Sequence, residues 1–406
     1  MMRKLHKSAR FLIVAVAMLL SVTVTHHANA AKFSVDGIAY RELNDNTCEV
    51  STSLYSGDVN IPETVIYENK NYTVTAIGYE AFLGNSDLTS VTIPNSVTLI
   101  RSRAFYGCDG LKSIAIGNSV NIISEDAFKG CNALERVDIS DLSAWCRIDF
   151  NSNPNWYAKN LLVNGKAITN LTIPNDITEI KSYAFSYCDK MISVTIPSSV
   201  ISIDDWAFED CSALTSVVFE DGASDLTLDL DAFYHCSIAK AYIGRPLDFV
   251  GIPNAYLGTL EFGENITSIV CGELPEYTSL QNVIVHSVLP PSIQLWYFAE
   301  TTCQNATLFV PKSSISDYQN AADWKNFRTI KSLDDYNAAV SNVYTDGDTT
   351  FRVSNGVLHI VGDAPVRVIA INGTAIYNGK GDIDINLNKG MYIVVIDNKA
   401  SKIAVK

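Results

Sequence analysis

The chain has 406 residues, 47% of them hydrophobic, which excludes both a single small core and an intrinsically disordered polymer. Its formal charge of −14 disfavours nucleic acid and anionic membrane surfaces as partners. Nine cysteines with no C-x₂-C pair among them argue against a structural zinc framework.

At the N-terminus, Arg3, Lys4, Lys7 and Arg10 precede the apolar stretch Phe11 to Val24, and Ala28-Asn29-Ala30 forms an A-x-A cleavage signal. Residues 1–30 read as a secretory signal peptide, with an apolar part too short for a retained span. No cysteine follows the cleavage point, so no lipid anchor is expected there, and no later stretch is apolar enough for a spanning helix. Cleavage removes four basic and no acidic residues, which takes the charge from −14 to −18.

Residues 31–76 form an N-terminal cap, and a repeat follows over 77–283. Ala-Phe dipeptides place phenylalanine at 82, 105, 128, 185, 208 and 233, with steps of 23, 23, 57, 23 and 25. Five of the six continue as Ala-Phe-x-x-Cys, with Cys108, Cys131, Cys188, Cys211 and Cys236; Asn85 takes that slot after Phe82. A period in the twenties is the mark of a leucine-rich-repeat solenoid. Within each period, pairs such as Val91 and Ile93, Ile114 and Ile116, or Val194 and Ile196 alternate with more polar residues, as in a strand with one buried face. Pro94, Pro174 and Pro197 end strands, because proline cannot donate to a ladder. The Ala-Phe-x-x-Cys-x-x-Leu run has the spacing of a short helical turn. Its cysteines read as buried packing thiols, with an occasional disulfide between stacked coils left open, as is the pairing of Cys48, Cys146, Cys271 and Cys303.

One coil, 137–170, is enlarged to 34 residues and lacks the motif. Beyond residue 236 the repeats degenerate, and 284–335 read as a C-terminal cap in which Tyr318, Trp324 and Phe327 cover the end of the stack. From 344 to 406, short alternating strands separated by Asn-Gly and Lys-Gly turns indicate a small β-sandwich.

The stretch LTSVTIPNSVTLIRSRAFYGCDG resembles the BspA-type leucine-rich repeats, and the resemblance covers roughly residues 33–335. It implies an α/β right-handed solenoid, with a short strand and a short helical turn per 23-residue coil, on a secreted or surface protein of adhesive character. It transfers no functional residue, since the shared positions are packing positions. The closing segment, with Asn372-Gly373, Gly390 to Val394 and Lys402 to Lys406, is similar to the sorting domain of type IX secretion cargo. That likeness implies contact with the secretion machinery and delivery to the outer surface of a Gram-negative bacterium or beyond it.

Chemistry-bearing motifs are missing from the sequence. There is no H-E-x-x-H, G-x-S-x-G or P-loop pattern, and beyond the signal the histidines are His235, His286 and His359. The acidic pairs Glu125-Asp126, Asp204-Asp205 and Glu209-Asp210 flank the turns, where negative charge is stabilising at a helical start. No catalytic, cofactor or metal residue is nominated. Ligand contact is assigned to Trp145, Trp156 and Tyr157 of the enlarged coil, with closure of that coil over its own core as the competing role. On the strand face, Thr92, Thr172 and Thr195 are the outward candidates. The expected function is non-enzymatic contact with host or neighbouring-cell proteins, with glycan capture or a spacer role as alternatives.

Overall fold

The structure is a computed structural model that describes residues 31–246, 252, 256–270, 279–294, 298–340, 344–346, 349–354, 357–362, 364–370, 374–388, 390–396 and 399–405. The expected signal peptide over 1–30, Cys271 and Asn372-Gly373 lie outside these residues. Two compact units are present, Met1–Leu257 with Val270–Leu274, and Gly258–Ile269 with Pro275–Lys406.

In the first unit, each regular coil gives one strand to each of two parallel sheets. Gly57–Asn60, Leu88–Thr92, Ser113–Ile116 and Arg136–Ile139 stack so that Val59, Val91, Ile114 and Val137 are in register. Lys70–Ile77, Leu99–Ile100, Ile122–Ile123 and Asp149–Phe150 form the other sheet, with Ile77, Ile100, Ile123 and Phe150 aligned. Equivalent apolar residues therefore form continuous buried columns, which no isolated coil could provide. The chain enters through an antiparallel ribbon, Lys32–Val35 with Ile38–Asn44. Its turn, Asp36-Gly37, has φ of +48° and +81°, the positive pair that a two-residue hairpin needs.

The helical spacing of Ala-Phe-x-x-Cys is realised as consecutive turns. Cys108 N donates to Phe105 O at 3.2 Å, and Leu111 N to Cys108 O at 3.1 Å, as a tight helical turn would require. Arg103 and Gly107, at φ of +58° and +69°, interrupt the run. The reason is visible in the amides between them: Phe105 N donates to Ala127 O and Gly107 N to Lys129 O, each at 2.7 Å, in the next coil. Backbone donors bond between coils, so they cannot bond along a helix.

The phenylalanines stack as two columns. Phe82, Phe105 and Phe128 lie with ring centroids 4.8 and 5.1 Å apart, and Phe185, Phe208 and Phe233 at 5.4 and 4.9 Å. The cysteine slot has its own logic. The thiols of Cys108, Cys131, Cys211 and Cys236 each donate to the carbonyl of the preceding coil's phenylalanine, at 2.8, 3.1, 3.1 and 3.0 Å. A small, apolar side chain with one weak donor suits that place. These thiols are free and buried, as are Cys48, Cys146, Cys188 and Cys303. Burial pushes the Cys108 thiol up to about 12, so it stays protonated and unreactive. In the first coil Asn85 instead donates to Ser53 O and accepts from Tyr55 N, because loop backbone is what precedes it.

In the second unit, Thr259–Phe262, Asn282–Val285, Thr307–Val310 and Thr329–Ser332 form a parallel sheet. Tyr318, Trp324 and Phe327 are buried there, with Tyr318 Oη donating to Ser287 O and Trp324 Nε1 to Pro291 O, both at 2.8 Å. The tail consists of two four-stranded antiparallel sheets around Phe351, Leu358, Val368, Val394 and Ile403. The expected small C-terminal β domain is thus present.

Candidate binding surface

The enlarged coil breaks the repeat pattern. Leu161–Val163 pairs with Arg136–Ile139 and then turns through Asn164-Gly165 into Lys166–Ala167, ending that sheet. A new parallel sheet starts at Asn170–Thr172 and runs through Ser193–Ile196, Ser216–Phe219 and Lys240–Ile243.

With no Ala-Phe turn in this coil, its side chains take over the bonds that backbone makes elsewhere. Tyr157 Oη accepts from Gly130 N at 3.0 Å, where Gly107 N finds a carbonyl. Trp145 Nε1 donates to Ala184 O at 2.8 Å, and Asn153 Nδ2 donates to Tyr183 O. Asn155 Nδ2 reaches Cys188 Sγ at 3.6 Å. The assignment of Trp145 to ligand contact is therefore corrected. Its indole is 1% exposed and packs on Phe150 at 4.8 Å, because the missing phenylalanine leaves a space that only a large ring fills. Tyr157 is half-buried and its hydroxyl is engaged across the coil boundary.

Trp156 differs, being 37% exposed. Its ring meets Tyr183 edge-on at 5.6 Å, and Tyr183 lies parallel to Trp206 at 5.3 Å and 12°. Tyr183 and Trp206 are half-buried, so the three rings form a partly exposed ladder along one side of the coils. Tyr183 and Trp206 occupy the position just before Ala-Phe, held in other coils by Glu80, Arg103, Asp126 and Asp231. All of these except Asp231 have φ between +53° and +65°. A bulky ring in left-handed backbone costs about 1–2 kcal/mol, which an asparagine or glycine would largely avoid.

Charge is distributed unevenly along this column. In the early coils Arg103 pairs with Glu80 at 2.6 Å and covers the Tyr106 ring at 4.7 Å, and Lys129 pairs with Asp126 at 3.3 Å. Beside Tyr183 and Trp206 stand Asp205, Glu209, Asp229 and Asp231, which make no ion pair among the described residues. Burial, a hydrogen bond to Asp229 and the charges of Asp229, Asp231 and Asp204 push Asp205 up to about 7. Burial, then Asp210 and Asp231, also raises Glu209, and burial with Glu209 and Asp205 raises Tyr183.

A prediction follows from linkage. The folded protein binds the Asp205 proton more tightly than the unfolded chain, whose carboxyl titrates at its ordinary value of 3.8. Stability associated with this group is therefore lost as pH rises from about 4 through 7. Asp205→Asn raises the thermal midpoint relative to the parent at about pH 8 and leaves it nearly unchanged at about pH 3.5. An equal shift at both pH values would show that ionisation of Asp205 is not the cause.

The outward threonines divide between sheets. Thr172 and Thr195 are in register neighbours, the first exposed and the second half-buried, while Thr92 lies exposed in the earlier sheet. His235 and Cys236 point apart: the imidazole faces Asp210 Oδ1 at 3.2 Å, and the thiol is buried against Phe208 O. Among the described residues, no group of three or more His, Cys, Asp or Glu is placed to hold a metal ion. No helix among them is long and apolar enough to cross a membrane.

Sequence reading had grouped Trp156 with its neighbours in the chain. The signal for the ladder was the aromatic pair Tyr183 and Trp206 at one repeat position, 23 residues apart. Trp156 belongs to no repeat position and could be added only from the structure.

No curated protein matches the chain. Among solved structures, a leucine-rich repeat protein of Bacteroides ovatus is 23% identical, with 74% of this chain and 78% of that one covered at a TM-score of 0.41. A leucine rich cell surface protein of Faecalibacterium prausnitzii is 19% identical over 78% of this chain and 99% of its own, with a TM-score of 0.31. The pneumococcal vaccine antigen PcpA is 15% identical over 75% and 98%, also at 0.31. The family described as BspA type leucine rich repeat region matches residues 49–152 and 159–252 in six copies, and the gap between the matches falls on Asn153 to Ala158, where side chains replace the backbone ladder. Residues 49–152 and 159–252 of this protein accordingly match the BspA-type leucine-rich repeat model, within a solenoid of stacked parallel strands.

Proposed function

We propose that this protein is a non-enzymatic, surface-delivered binding protein whose solenoid contacts extracellular or cell-surface proteins of a host or neighbouring cell. The observation that carries this reading is the partly exposed ladder of Trp156, Tyr183 and Trp206 on an otherwise regular array. Repeat positions are consumed by packing, and large half-exposed rings concentrate where contacts with partners are energetically productive. The leucine-rich repeat cell surface protein of F. prausnitzii is consistent with surface placement.

Export by the N-terminal signal and delivery by the β-sandwich at 344–406 as a sorting domain complete the proposal. Deleting 344–406 should retain the chain inside the producing bacterium, measured by surface protease accessibility; unchanged display would leave the sandwich without a sorting role. For the binding reading, the full chain is passed over immobilised matrix proteins and glycans. Saturable binding to a protein, weakened by Trp156→Ala, is the expected result. Binding to saccharides alone would move the protein to glycan capture, and silence across the panel would favour a spacer.

A further inference from the structure

We propose that the ladder of Trp156, Tyr183 and Trp206, bordered by Asp205, Glu209 and Asp231, is a docking surface for an arginine-rich segment of a partner protein. The inference deepens the protein-binding reading and rests on it. Two features of the ridge select this occupant over others. The three rings are partly exposed, with Tyr183 and Trp206 parallel at 5.3 Å and Trp156 edge-on to Tyr183 at 5.6 Å, so a guanidinium would meet outer faces and edges rather than the gap between rings. Guanidinium groups stack on such faces and are attracted by the ring quadrupole.

The second feature is charge complementarity. Asp205, Glu209, Asp229 and Asp231 make no ion pair among the described residues, with only the charge of His235 acting on Glu209, whereas the equivalent part of the early coils is neutralised internally by Arg103 and Lys129. Even the nearby cations are committed, Lys181 to Asp149 and Lys159 to Asp189 at 3.8 Å. Burial first, and then the neighbouring carboxylates, raises Asp205 and Glu209, and an incoming cation offsets the second of these causes. A neutral sugar would use the rings and donate hydroxyls to the carboxylates, but unlike a guanidinium it would not offset their charge. Tyr183 and Trp206 put rings, at φ of +65° and +59°, into a position that Glu80, Arg103, Asp126 and Asp231 fill with charged side chains.

The test uses the full chain and a nona-arginine peptide, with nona-glutamate and maltoheptaose as comparison probes, read by isothermal titration. Nona-arginine should bind, and Trp206→Asn should weaken it about tenfold or more. Asparagine tolerates left-handed backbone, so this variant keeps its fold, as an unchanged thermal midpoint would show. Binding should weaken as salt rises from about 50 to about 500 mM. It should tighten from about pH 6 to about pH 8 as Asp205 ionises among Asp204, Asp229 and Asp231, and Asp205→Asn should abolish that pH dependence.

Equal nona-arginine affinity in parent and Trp206→Asn, or no binding of the peptide, would overturn the proposal. Maltoheptaose binding that is lost in Trp206→Asn would assign the ladder to glycans and overturn it as well. The underlying reading fails separately. A partner protein bound equally by parent and Trp206→Asn sinks the ridge and leaves protein binding standing. Nona-arginine bound at the ridge, with no protein of the matrix panel bound, supports the ridge chemistry and counts against that reading.

Discussion

Replacing Phe105 by alanine should lower the unfolding free energy by about 4–5 kcal/mol. The ring is fully buried and sits between Phe82 and Phe128, nearly parallel to both at interplanar angles of 12° and 7°. Truncating a buried phenylalanine costs about 3–5 kcal/mol, and two stacking contacts disappear with it. Relaxation cannot recover much, because the backbone on either side is tied to the neighbouring coils through Phe82 N to Ala104 O and Phe105 N to Ala127 O, each at 2.7 Å. Urea denaturation followed by far-UV circular dichroism measures the effect. Phe105→Leu, which refills most of the space, should lose less than half as much. A cost under about 1 kcal/mol for Phe105→Ala would mean that the column is not a principal source of stability.

The second large effect is expected at Glu49. Its carboxylate is 1% exposed as a residue yet receives two guanidinium groups, Arg41 through Nε at 2.8 Å to Oε1 and Arg101 through Nε at 2.8 Å to Oε2. Arg101 lies 52 residues along the chain, so one buried charge fastens the N-terminal ribbon to the first repeats. Gly78 makes the room: a Cβ there would stand 2.5 Å from Val50 O and 3.1 Å from Glu49 Oε1. Breaking a buried ion pair by removing one partner costs about 3–5 kcal/mol. Here the two arginine side chains are 42% and 35% exposed and can turn to water, so Glu49→Gln should cost about 2–3 kcal/mol. Denaturation of the single variant and of the Glu49→Gln/Arg101→Gln pair tests the coupling. Additive losses would show that the two residues do not act as one unit.

Much of the architecture was legible before any coordinates. Period-two pairs such as Ile114 and Ile116 did become strands in register with their neighbours, because alternation determines which face is buried regardless of context. The recurring cysteine did prove a buried free thiol, and four of the five donate to a phenylalanine carbonyl of the preceding coil. The Ala-Phe run was less transparent. Its spacing of three and four is shared by a helix and by stacked turns, and only the amide partners in the adjoining coil decide between them.

The binding surface was harder still. Trp145, Trp156 and Tyr157 are close in sequence and look alike there, yet one is sealed beneath the next coil, one bonds back across a coil boundary and one faces outward. Composition cannot separate these fates, because each depends on which donor or void lies opposite after stacking. By itself, the sequence determined the period, the buried columns and the acidic excess, all of which are properties repeated locally along the chain. Only the tertiary structure decided that Trp156, Tyr183 and Trp206 form one ladder, and that Asp205, Glu209 and Asp231 stand beside it with no ion pair among the described residues. Stacking converts separations of 23 and more residues into contacts of 5 to 6 Å, and where an irregular coil intervenes the sequence carries no register from which to compute them.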